Sequence, residues 1–293
     1  PTGKSLRKRL DNILDSSKKR RGYFLIALTL VACVFASGFV SCRQARPPVV
    51  VSEDDKIIST GICDGFKYNI YNNYIGISED TSLKVTHGSG IDNKLTFPDI
   101  IDGLPVAKLE DGFLHGRLSD YSEITLPKLL VWIGDGALSS ETVWNGKLTI
   151  PDTVSHIGKG ALANVSFESD SNGYVIVGDG VLIGYTGNGG ELTLPASVKV
   201  ISGAFTNNKN VRSVKVNSGC TTVSDSAFAF SDITEVTLPD SVTSIGRDCF
   251  RGSELTNIRM PSGDCSIGRF AFETAGKTLT LTVAENSSSM LWA

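Results

Sequence analysis

Few residues of this 293-residue sequence have the types and spacing that chemistry requires. The histidines His87, His115 and His156 are the natural metal ligands and proton carriers. Yet "FLHGR" and "VSHIG" give His115 and His156 no His or Cys neighbour at ligand spacing. They read as exposed residues of a regular array. The six cysteines include no C-x-x-C pair and are too scattered for a disulfide framework. "GDG" (178–180) and "GNGG" (187–190) do not fit G-x-x-x-x-G-K-S/T and read as hairpin turns. There is no G-x-S-x-G elbow, and the carboxylates of "EDD" (53–55) read as solvated. The sequence assigns no catalytic residue, no metal ligand and no cofactor, so it reads as a non-enzyme.

Charge is nearly balanced at −3 but unevenly spread. Residues 1–22 hold eight Lys or Arg against Asp11 and Asp15, a net +6, which leaves −9 on the remainder. An acidic body argues against nucleic acid as a partner. A basic head suits an anionic membrane face. The chain begins with Pro1 rather than Met and reads as part of a longer protein.

Residues 22–40, "GYFLIALTLVACVFASGFV", carry no charge. As a helix they reach ~28 Å, the thickness of a bilayer's hydrocarbon core. "KKRR" (18–21) precedes them, so residues 1–21 are expected in the cytoplasm and the body outside the cell membrane. A second reading stays open: "FVSC" (39–42) is a loose lipobox, with Cys42 as the lipidation site after cleavage. Leu6, Leu10, Ile13 and Leu14 form one helical stripe within "KSLRKRLDNILD". The run "SLRKRLDNILDSSKKRRGYFLIALTLVACVF" resembles the stretch before the last transmembrane helix of MecR/BlaR-type zinc-peptidase transducers. That resemblance, over residues 4–40, implies a receptor's sensor tail whose catalytic half, with its H-E-x-x-H, is missing from this chain.

The body is organised by repetition. Residues 41–60 read as an extracellular spacer, with Pro47 and Pro48 followed by charges. "GFKYNIYNNYIGIS" (65–78) alternates apolar residues around Asn72-Asn73, a hairpin signal, and is expected to cap the array. A strand-like triplet then recurs from Leu95, Ile124, Leu148, Leu192, Val214, Val236, Ile258 and Leu279. The last four intervals are close to 22 residues, whereas the one from Leu148 to Leu192 is twice that. Alternating runs within the long interval predict an inserted hairpin at about 165–191.

Most triplets are followed by proline, then V-x-x-I-G-x-x-A-F, as in "VTLPDSVTSIGRDCF" (236–250) and "LTIPDTVSHIGKGAL" (148–162). A period near 22 lies in the leucine-rich-repeat range. These phrases resemble the BspA-like leucine-rich repeats of bacterial surface proteins, over about residues 61–293. The resemblance implies a solenoid and contact with surfaces or host matrix.

The pattern has a physical reading. The triplet's first and third residues point to the core and the middle one outward. The V-x-x-I pair fills the opposite wall. The glycine after Ile serves a tight bend. The A-F step packs one small and one large group; Cys249 stands in place of its Ala and Cys220 in place of the Val in "CTTV", so both read as small core residues rather than nucleophiles. One repeat buries apolar side chains worth roughly 10 kcal/mol, while ordering its backbone costs on the order of 20–40 kcal/mol. Only a stack can fold.

No chemistry recurs in the phrase; what recurs is a surface. Outward positions are expected to align from coil to coil on a concave face as candidate ligand contacts. They are Lys94, Thr96, Glu123, Thr125, Lys147, Thr149, Glu191, Thr193, Ser213, Lys215, Glu235, Thr237, Asn257, Arg259, Thr278 and Thr280. Partners of that face would be extracellular protein or glycan. The stripe lacks aromatic anchors; Trp132, Trp144 and Tyr185, near the insertions, are the individual hot-spot candidates.

Overall fold

The structure, a computed structural model, describes residues 49–52, 54–63, 66–80, 94–274 and 277–283. All lie in one unit, Val49–Ala293. The expected membrane helix at 22–40 and Cys42 fall outside the described residues. Among the described residues no helix is long and apolar enough to cross a membrane.

The repeated phrase builds a coil with two strand walls. Triplets form the first wall as short parallel strands: Lys94–Thr96, Glu123–Thr125 and Lys147–Thr149 pair in that order. Gly190–Thr193, Val211–Lys215, Glu235–Thr237, Asn257–Arg259 and Thr280–Thr282 pair likewise. The residue before each outward Thr, Lys or Arg turns inward: Ile124, Val214, Val236 and Ile258 are buried. The last strand differs from expectation. Leu281, not Leu279, lies beside Ile258, so Thr280 and Thr282 face outward and Thr278 precedes the strand. "LTLT" alternates with period two, so spacing alone does not distinguish the two leucines, whereas pairing does.

Proline closes most triplets and opens the next turn. Its carbonyl accepts the N–H of the Val or Leu three residues on, as in Pro151 to Val154 and Pro239 to Val242. Asn217 does the same for Cys220. The chain then enters the second wall of two-residue parallel strands. Trp132–Ile133 and His156–Ile157 continue from Leu104–Leu109. Val200–Ile201, Thr222–Val223, Ser244–Ile245 and Ser266–Ile267 continue from Val181–Tyr185.

Two antiparallel hairpins start these ladders. Phe66–Ile70 pairs with Ile75–Asp80 across a turn at Asn72-Asn73, with Ser59–Cys63 on its outer edge. Ile75–Asp80 in turn pairs parallel with Leu104–Leu109, so the hairpin extends the second wall as well as covering its end. Tyr174–Val177 and Val181–Tyr185 form the other hairpin, inside the long interval. No sheet runs across this insertion. Leu148 and Leu192, on the triplets that flank it, are only half-buried, unlike Ile124 and Val214.

The A-F step runs along a third edge, held by main-chain bonds between coils. Gly136, Leu138 and Ser140 donate N–H to the carbonyls of Lys159, Ala161 and Ala163. Ser226, Phe228 and Phe230 donate to Arg247, Cys249 and Arg251. Aligning alternate N–H groups this way puts the residue before A-F into the left-handed region. Gly136 (φ 62°) and Gly160 (φ 64°) adopt it without cost, but Ser226 (φ 56°), Asp248 (φ 53°) and Phe270 (φ 60°) carry a side chain there. The glycine directly after Ile has a different task from the bend expected of it. Gly134, Gly158, Gly246 and Gly268 do not have positive φ. A Cβ on Gly246 would lie 2.4 Å from the Asp225 nitrogen, and one on Gly158 2.6 Å from that of Asp135. Successive coils touch backbone to backbone at this position.

The core is a stack of like on like. Phe205, Phe228, Phe250 and Phe272 form a column with ring centroids 5.1, 5.1 and 5.5 Å apart and nearly parallel planes. Buried apolar residues form two main clusters that meet at the insertion: the first runs from the cap through the hairpin's Val181 to Val200, and the second takes in Tyr174 and Leu182 of the hairpin and the coils beyond. Val49 and Val51 pack on a small satellite of Tyr71, Tyr74 and Ala107, so the end of the expected spacer lies against the cap.

Three substitutions test the stacking. Gly246→Ala is expected to destabilise by about 1–3 kcal/mol through the backbone clash. Gly263→Ala, where an added Cβ meets nothing within 4 Å, should stay within about 0.5 kcal/mol of the parent. Phe228→Ala should cost about 3–5 kcal/mol in urea unfolding.

Candidate functional site

The outward residues of the triplet wall stand in two columns fixed by strand register. Lys94, Glu123 and Lys147 lie side by side, as do Thr96, Thr125 and Thr149. After the insertion, Glu191, Ser213, Glu235, Asn257 and Thr280 form one column, and Thr193, Lys215, Thr237, Arg259 and Thr282 the other. All are exposed or half-exposed. Thr278 falls outside these columns.

The two halves differ electrostatically. Before the insertion, Glu123 is clamped by Lys147 at 2.8 Å and Lys94 at 3.0 Å. The two ammonium groups, Lys147 first, hold its carboxyl below the usual glutamate range. Glu123 and Lys147 border an open cleft of about 520 Å³ whose lining includes Thr125, Lys128, Thr149 and Thr153. After the insertion, acids (Glu191, Glu235) occupy one column and bases (Lys215, Arg259) the other, on alternate coils.

Single-residue candidates resolve differently. Trp144 is buried, and its Nε1 donates to the Tyr121 carbonyl at 2.8 Å, so it is a packing residue rather than a hot spot. Tyr185 is half-buried against Tyr174 and Phe205. His115 is exposed, with Nδ1 2.6 Å from Ser139 Oγ. His87 lies outside the described residues.

His156 is not the exposed residue expected. It stacks on Trp132 with centroids 3.4 Å apart and planes 13° from parallel. Lys108 lies over the same indole at 5.8 Å and over Tyr71 at 5.3 Å, and pairs with Glu110 at 3.0 Å. Sequence reasoning missed this cluster, although a signal was present: Lys108, Trp132 and His156 each directly precede the inward Leu or Ile of the second wall. Register therefore places them side by side.

Burial, opposed by Asp111 and reinforced by Lys108, pulls the His156 pKa down to about 4. Cys220 and Cys249 are buried, and burial raises both thiols, Cys220 to about 11. They are packing groups, not nucleophiles. Among the described residues no group of three His, Cys, Asp or Glu is placed to hold a metal.

Stacked coils, two parallel walls and a polar outward stripe define a leucine-rich-repeat solenoid. A family model described as "BspA type Leucine rich repeat region" matches residues 113–171 and 185–290 in six copies, more than half of the chain. The chain belongs to that family. Among solved structures it is similar to the pneumococcal vaccine antigen PcpA, at 16% identity over 79% of this chain and 83% of that one, with a TM-score of 0.40. It is also similar to a leucine rich cell surface protein from Faecalibacterium prausnitzii A2-165, at 17% identity over 82% and 98%, TM-score 0.30. A leucine-rich repeat protein from Bacteroides ovatus ATCC 8483 matches at 14% identity over 76% of each chain, TM-score 0.29. No curated protein matches.

His156 makes stability depend on pH. Its folded pKa lies below its unfolded value of about 6.5, so the unfolded chain binds the proton more readily. Stability is therefore full above pH ~6.5 and falls as pH drops toward 4. The loss is on the order of 2 kcal/mol once partial exposure is allowed for. His156→Gln should flatten that part of the pH–stability curve, as read by urea midpoints. Mass-resolved alkylation at pH 8 should leave Cys220 and Cys249 unmodified until the chain unfolds.

Proposed function

We propose that this chain is a membrane-tethered, extracellular binding protein whose triplet wall holds a protein or glycan of the surroundings, in adhesion or sensing. Residues 1–21 lie in the cytoplasm, 22–40 span the membrane, and the repeats project outside. The reading rests on one observation above others: polar side chains from successive coils stand exposed and in register. They border an open cleft at Glu123, Thr125, Lys147 and Thr149. The fold needs these positions only for strand pairing, which any outward side chain satisfies. Membership of the BspA-type family supports contact with other surfaces as the task. The uncharged run at 22–40 and the basic head before it support the tether.

The surface suits a polar partner. Its lysines, arginine, glutamates and threonines offer charge-assisted and hydroxyl hydrogen bonds in a repeating lattice, and it lacks a large apolar anchor. Affinity then comes from many modest contacts, so single neutral substitutions weaken it little and charge reversal weakens it strongly.

Two measurements test this. Protease added to intact cells should remove the repeats and leave a membrane-bound stub; full protection would overturn the topology. The 293-residue chain, screened against arrayed matrix proteins and cell-wall glycans, should bind at least one, and Lys147→Glu should reduce that binding about tenfold or more. Failure of every probe, or equal binding by the charge-reversed variant at unchanged Tm, would overturn the assignment of this face.

A further inference from the structure

The third edge of the solenoid carries coil-to-coil hydrogen bonds at every junction but one. Three join the coils at 112–116 and 135–139, and three join those at 136–140 and 159–163. Beyond the insertion, two join 205–207 to 227–229, and the next junctions again carry three. At the insertion there are none. The N–H groups of Gly160, Leu162 and Asn164, the counterparts of Gly136, Leu138 and Ser140 one coil back, have no hydrogen-bond partner among the described residues. The carbonyls of Ser202, Ala204 and Thr206, which by position would accept them, have none either.

The cause lies in the inserted hairpin. Val181 and Leu182 supply a rung to the second wall beside Val200 and Ile201. Beyond Ile183 the chain turns away, and Thr186 N–H bonds back to the Gly173 carbonyl instead of crossing to the third edge. Ser202 ties the base of the break: its Oγ donates to the Ile157 carbonyl at 2.6 Å in a buried bond. Above it a groove of about 240 Å³ remains, with Gly160, Ala161, Leu162, Ile183, Gly203 and Thr206 in its walls. Lys159 and Asp225 stand at its rim.

We propose that this groove binds a peptide segment of a partner protein, which takes the place of the missing rung. One lip offers N–H groups at alternate residues and the other offers carbonyls at alternate residues. Both lips are runs of i→i−3 turns, as in Ala161 to Gly158, Ala163 to Gly160 and Thr206 to Gly203, and a peptide main chain that turns its carbonyls to one lip and its N–H groups to the other supplies the partners both lack. The walls are glycine, alanine and aliphatic side chains, so the groove suits a main chain with small apolar side chains. Lys159 and Asp225 give one charge of each sign at the mouth. The site is separate from the triplet wall and does not depend on the tether.

Amide hydrogen exchange on the 293-residue chain gives the first test. Gly160, Leu162 and Asn164 should exchange about a hundredfold faster than Gly136, Leu138 and Ser140. Slow exchange in the free protein would mean that a segment of this chain already fills the groove, and would overturn the proposal. The second probe is a phage-displayed library of random linear peptides. An enriched peptide should slow exchange at those three amides. It should lose about tenfold or more in affinity to Thr206→Trp, which fills the groove, and to N-methylation at its own alternate residues. Thr96→Trp and Lys147→Glu on the triplet wall should leave its binding unchanged. Absence of any enriched peptide, or binding indifferent to Thr206→Trp and to N-methylation, would overturn the proposal. Neither result bears on the triplet wall, whose test uses different probes and variants.

Discussion

Main-chain hydrogen bonding between successive coils is the constraint from which the rest follows. It fixes the separation of coils at about 4.8 Å, and each side chain then lies beside its counterpart one phrase away. A residue type is acceptable only if it tolerates its own likeness as a neighbour. Phenylalanine does so by stacking face over face from Phe205 to Phe272. Glycine does so at Gly134, Gly158, Gly246 and Gly268, where two backbones meet with no room for a Cβ. Charge tolerates it only in alternation, as Glu123 between Lys94 and Lys147 shows.

The same constraint explains how carboxylates are used away from the triplets. The Asp111 carboxylate accepts the Asp135 N–H, the Asp135 carboxylate accepts the Lys159 N–H, and the Asp225 carboxylate accepts the Arg247 N–H. Each side chain reaches one coil onward and closes a backbone donor that the walls leave open. Burial raises the pKa of Asp135 most, with Asp111 adding to it and the bond from Lys159 opposing it. The work of these acids is to bind coil to coil.

What was legible in the residues was whatever repeats with phase. Triplets, prolines, the V-x-x-I pair and the inward A-F step all declare themselves by recurrence, and the outward columns follow from them. The glycine after Ile was legible as a requirement but not as a cause, because a tight bend and a close approach select the same residue. The last triplet slipped by two because Leu279 and Leu281 satisfy the same alternation. The Trp132–His156 stack is written in the spacing but is lost when each residue is judged alone. The groove beside Gly160 and Leu162 was not legible at all: it is made by a rung that the inserted hairpin withholds, and no residue type marks a missing partner.

The tie between Ser202 and Ile157 has a mechanical consequence. In a stack of this kind the bonds between coils lie along the axis, so a pull applied at the two ends loads the junctions in series. The force any junction sustains is then set by its own bonds, and the stack yields where they are fewest. That place is the insertion, where the third edge is open and no sheet runs across. Under tension the protein would part there, giving up the packing of Val181 and Val200 on the first core, and lengthen before the hydrogen-bonded coils on either side unravel.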